Sequence, residues 1–141
     1  MSKADDFPLI DGHYKMTEEW SIFLPQPVHR RVEDGSLVLW RPGLTLWINM
    51  WGNDTKETAD EQLARIRSDR SPDCFNEIYE EEDGLLRLSY RLQEDTSDER
   101  VAAFYGFVVG VSGHVQMAVY FDEEDTLQLA EGLWRSVMGH Q

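Results

Sequence analysis

A chain of 141 residues is long enough to bury about two-thirds of its unfolded surface on folding, and its one cysteine, Cys74, excludes an intramolecular disulfide. Thirteen lysines and arginines against 27 aspartates and glutamates give a formal charge of −14. That field repels phosphate backbones and anionic headgroups, so nucleic acid and membrane surfaces are poor partners and a basic protein is a favoured one. No basic segment with an apolar run behind it opens the sequence, and nowhere do about 18 apolar residues run together. The expectation is a cytoplasmic protein of one domain, residues 1–141, with its ordered core over 14–138.

Residues 14–16 and 20–24 read as short strands, the second closed by Pro25-Gln26-Pro27, which cannot continue a central strand. Residues 28–32 and 37–41 flank Asp34-Gly35, a hairpin signal. Next comes GLTLWINMWGN, residues 43–53. Its period of two puts Leu44, Leu46, Ile48 and Met50 on one face and Thr45, Trp47, Asn49 and Trp51 on the other. The first is a complete core face. The second predicts Trp47 under a helix, with Trp40 and Trp51, near the strand ends, partly exposed. Asp54 followed by Glu57 has capping-box spacing. Ala59, Leu63 and Ile66 then form the narrow apolar stripe of a surface helix near 56–70, ended by Pro72.

Four strands follow, at 75–81, 85–93, 101–109 and 114–121, joined by EEDG, EDTSDE and GVSG. In the second, Leu86, Leu88, Tyr90 and Leu92 face inward, which sends Arg87, Ser89, Arg91 and Gln93 to a wet face. VAAFYGFVVG is apolar on both faces, as a central strand covered on each side would be. After Asp122, an N-cap candidate, Leu127, Ala130, Leu133, Trp134, Val137 and Met138 give the broad stripe of a helix near 123–138. The sum is an α+β fold: one antiparallel sheet of about six or seven strands with two helices.

Chemistry is sparse. His13, His29, His114 and His140 stand singly, with no spacing that would gather two on one element face, so no metal site is expected. Cys74 reads as packing. Ser112 lies beside His114 in sequence but without a nucleophile elbow. The acidic turns Glu80, Glu81, Glu82, Asp83 and Glu94, Asp95, Asp98, Glu99 lack the alternation of a calcium loop. No cofactor is expected. Two readings remain. In one, the chain is a non-enzymatic module that binds another protein, basic or exposing apolar surface. Its anchors would be Trp40, Trp47 and Trp51 and its acidic rim Glu81, Glu82, Asp83, Asp95 and Asp98. In the alternative, the tryptophans line the pocket of a small-molecule-binding protein or small enzyme.

The early WSIFLP strand, the Leu/Trp-rich strand leading into a short Ala/Leu helix, the four-strand antiparallel run and the final helix ending in LWRSVM resemble the PsbP-like α/β/α superfamily. That superfamily includes the photosystem II extrinsic protein, a Ran-binding nuclear-import factor, DcrB-like bacterial proteins and Eag-type chaperones of type VI secretion effectors. The resemblance spans Tyr14 to Met138. It implies an α/β/α sandwich and a partner-binding role such as that of an effector immunity protein or a secretion chaperone or adaptor.

Overall fold

The computed structural model describes residues 7–53, 56–93 and 101–139. The strands are β1 (Leu9–Lys15), β2 (Trp20–Glu33), β3 (Ser36–Arg41), β4 (Leu44–Gly52), β5 (Phe75–Glu82), β6 (Leu85–Leu92), β7 (Ala103–Gly110), β8 (Gly113–Phe121) and β9 (Met138–Gly139). The helices are α1 (Ala59–Asp69) and α2 (Leu127–Arg135). All described strands join one sheet in the order β1-β2-β3-β4-β8-β7-β6-β5, with β9 added to β2. The pairings are antiparallel. Two meanders, β1 to β4 and β5 to β8, thus lie side by side, joined along β4 and β8. This is the expected α+β class, but with nine strands rather than six or seven. Among the described residues no helix is long and apolar enough to cross a membrane.

The expected break at Pro25-Gln26-Pro27 is absent, and β2 runs for 14 residues through both prolines. The reason is that 25–27 have no ladder partner. On one side the register passes from Gly12↔Leu24 to Ile10↔Val28 across an irregularity in β1. On the other, β3 joins only from His29 onward. A missing N–H costs nothing where no neighbour needs it. The Asp34-Gly35 hairpin is as expected, both residues having positive φ, 51° and 85°.

One face of the sheet is closed by α2. Leu39, Leu46, Val119 and Phe104 form a cross-strand row through β3, β4, β8 and β7, and Ile48, Met117 and Gly106 form the next. Trp134 lies directly on Gly106: a Cβ there would sit 2.6 Å from the indole Cδ1. Its ring meets Phe104 edge-on at 5.8 Å, and its Nε1 donates to the Phe107 carbonyl at 3.0 Å. Asp122 does not cap this helix; a 3-10 turn, Glu124–Thr126, leads into it without a side-chain cap. The helix ends at Arg135 because Ser136 turns to β2, its hydroxyl accepting from the Phe23 N–H at 3.0 Å.

The wet face expected for β6 is also corrected. Arg87, Ser89 and Arg91 are 2%, 0% and 4% exposed, because α2 packs over their face. Arg87 Nη2 donates to the Val137 carbonyl at 2.9 Å. Arg91 forks onto Glu124 at 2.7 and 2.8 Å and donates to the Ala102 carbonyl at 2.8 Å. One arginine therefore holds the exit of α2 and the other its entrance.

The connection carrying α1 must travel from β4 to β5, four places along the sheet, or about 19 Å at the usual strand spacing. An 11-residue helix covers about 16 Å of it. It lies over β6 and β7, where Leu63 and Ile66 pack on Leu86, Leu88, Tyr90, Phe107 and Val109. Its capping box is Thr58 with Glu61, one turn later than Asp54 with Glu57. Asn53 accounts for the delay. Its Oδ1 accepts from the Glu57 N–H at 3.0 Å, and its Nδ2 donates to the carbonyls of Glu57 and Val111 at 2.6 and 3.0 Å, so Glu57 is held outside the helix.

Candidate functional site

Because α1 packs on β6 and β7, the same face of β3 and β4 is left half open, with Trp40, Thr45, Trp47 and Asn49 all of intermediate burial. Trp40 is wedged between Phe7, His29 and Arg31, at 5.2, 5.4 and 4.8 Å. A helix is expected over Trp47, but α1 packs on β6 and β7 instead; the cross-strand neighbours of Trp47 are Val38 and Ala118, and the Arg31 guanidinium stands 5.8 Å from its ring. Trp51 is 45% exposed and stacks on its cross-strand partner His114 at 5.0 Å.

The acidic residues are elsewhere. Glu81, Glu82 and Asp83 belong to the β5–β6 hairpin at the far edge of the sheet, with α1 packed between that edge and the tryptophans. Glu82 is engaged by Arg87 at 3.3 Å, and the neighbouring Glu80 by Arg135 at 2.9 Å, so part of this cluster holds the α2 side together. Asp95 and Asp98 lie outside the described residues. The three tryptophans therefore share a face, and Glu81, Glu82 and Asp83 do not rim it.

Where α1 rises off the sheet beside Trp51, a cleft of about 730 Å³ opens, lined by Trp51, His114, Gln116, Tyr90, Phe107 and Ile66. Of the three tryptophans only Trp51 reaches it. Arg65 and Glu57 pair at its mouth at 2.7 Å. His114 and Gln116 are the residues that sequence reasoning missed here. Their signal was the alternation of β8, where both fall on the face opposite Val115, Met117 and Val119, but only the β4–β8 register sets them beside Trp51. Among the described residues no three His, Cys, Asp or Glu side chains are grouped to hold a metal ion.

Burial holds the His114 imidazole below its ordinary pKa, reinforced by the Arg65 guanidinium and opposed by Glu57. The unfolded chain therefore takes up this proton more readily than the folded one, and stability rises with pH in that range. Its contribution is complete above the unfolded value of about 6.5 and is lost as pH falls through the lower folded value. Melting temperature is expected to fall from pH 7.5 to 5.5 in the native chain, with a shallower slope in His114→Gln. Equal slopes would show that the imidazole is not a titrating element of stability.

The fold and site define an α+β protein whose antiparallel sheet is closed by one helix and half covered by another, with an aromatic face and a cleft on the half-covered side. Set against family models, curated proteins and solved structures, the chain matches none.

Proposed function

We propose that this chain is a non-enzymatic cytoplasmic module that binds another protein, in the manner of an effector immunity protein or a secretion chaperone or adaptor of the PsbP-like kind. The observation that carries the reading is the half-open face of β3 and β4, where Trp40, Trp47 and Trp51 are all partly accessible on one side of the sheet. Tryptophan is the residue type most enriched among interface hot spots, because a large ring gives much contact area at little cost in side-chain entropy. A charge of −14 attracts a basic partner to the protein at long range, although the described acidic turn is set apart from the tryptophan face. The PsbP-like resemblance supports the same role as an analogy of fold.

The test is stoichiometric co-purification of the native partner with the intact chain and with single alanine variants of Trp40, Trp47 and Trp51. Trp51→Ala, the most exposed of the three, is expected to lose the partner while changing stability by less than about 1 kcal/mol. Unchanged recovery with all three variants would place the binding surface elsewhere.

A further inference from the structure

We infer that the cleft between α1 and β8 is a binding site for a planar, non-anionic aromatic molecule carrying an amide or lactam edge. The ligand is distinct from the proposed protein partner, but its site shares the Trp51 ring with that surface, and Gln116 belongs to the cleft alone.

The cleft volume of about 730 Å³ falls within the usual range of small-molecule sites, roughly 300 to 1,000 Å³. Its walls are flat and already fixed. Trp51 is held by its stack on His114, with rings 26° from parallel. Tyr90 is held between Phe107 and Tyr105, with ring centroids at 5.9 and 5.6 Å. Rings presented this way favour a flat π-system over a puckered aliphatic one.

The polar content selects further. Gln116 lies among these rings, partly buried, and its carboxamide makes no hydrogen bond to any described residue. A free carboxamide offers an acceptor and two donors, the complement of another amide or a lactam edge. A carboxamide without a protein partner, set among aromatic rings in an open cleft, marks where a ligand's polar edge belongs.

Charge disfavours an anionic ligand, and Asp69 adds a further carboxylate to the lining. Arg65 is neutralised by Glu57 at 2.7 Å and Arg70 by Glu77 at 3.0 Å, which leaves no unpaired cation at the mouth to hold a carboxylate or phosphate. The net charge of the chain opposes anions as well.

The experiment is a two-dimensional NMR titration of the intact chain with benzamide, benzoate and cyclohexanecarboxamide. Benzamide is expected to saturate with a millimolar dissociation constant, as befits so small a ligand, shifting the Trp51 indole and Gln116 side-chain signals together. Benzoate fails the charge requirement and cyclohexanecarboxamide the planarity requirement, and each should bind at least about tenfold more weakly. Gln116→Leu, at a partly buried strand position where an apolar side chain should not disturb folding, is expected to weaken benzamide about tenfold. Trp51→Ala should do the same. Equal binding of the three probes, unsaturable shifts scattered over the surface, or an unchanged affinity in Gln116→Leu would each overturn the assignment.

Discussion

Replacing Trp134 by alanine is expected to lower the free energy of unfolding by about 3 to 5 kcal/mol, the range for emptying a buried aromatic site. The ring is 0% exposed, and the backbone beneath it, at Gly106, leaves room for nothing else. Neither Gly106, which has no side chain, nor the β7 backbone can move into the vacated space, so the cavity should persist. Trp134→Phe keeps most of the volume and gives up chiefly the Nε1 bond to Phe107, a loss of about 1 kcal/mol. Urea denaturation of the two variants separates packing from hydrogen bonding. A loss below about 1 kcal/mol for the alanine variant would mean that α2 is peripheral to the core.

Arg91→Ala is expected to cost about 2 to 3 kcal/mol, because several hydrogen bonds to charged or buried groups vanish together and the Ala102 carbonyl loses a buried donor. Arg91→Lys should recover little of this, since a point-like ammonium cannot reproduce the fork onto Glu124. There is a pH signature too. The hydrogen bond from Arg91 holds the Glu124 carboxyl below its usual value. That contribution is present above the unfolded carboxylate pKa and disappears as pH falls through the folded one. Between pH 5 and 3 the native chain should therefore lose more stability than Arg91→Ala. Parallel acid profiles would show that the pair is not coupled to folding.

The faces of β4 and β8 were legible in the sequence because period-two alternation is a local property, as Leu44, Leu46, Ile48 and Met50 show. What local patterns cannot carry is what arrives from far along the chain. Arg87, Ser89 and Arg91 read as solvent-facing because arginine is rarely buried without partners, and the partners here, Val137 and Glu124, lie 50 and 33 residues away. The two prolines of β2 misled for a related reason. Their tolerance depends on which neighbours are missing, a fact of sheet topology. The helix start went astray between two equivalent spacings, Asp54 with Glu57 and Thr58 with Glu61, and the choice fell to Asn53. For the site, the partial exposure of Trp51 was readable from its place at a strand end. The cleft was not, since it needs the β4–β8 register and the crossing of α1 together.

The seam between Ser136 and Phe23 joins residues 113 apart in the chain, and β9 pairs with the start of β2 beside it. Such long loop closures make folding slow, because their entropy must be lost before the contacts return anything. Ile22 and Leu24 on β2 belong to the core that α2 closes, and β9 pairs beside them, so their covering elements lie at the far end of the chain. A β2 formed before they dock would be an uncovered apolar ribbon, the kind of surface that invites aggregation or a chaperone. The folding rate of this protein should therefore be governed by the docking of its C-terminal segment rather than by the formation of either meander.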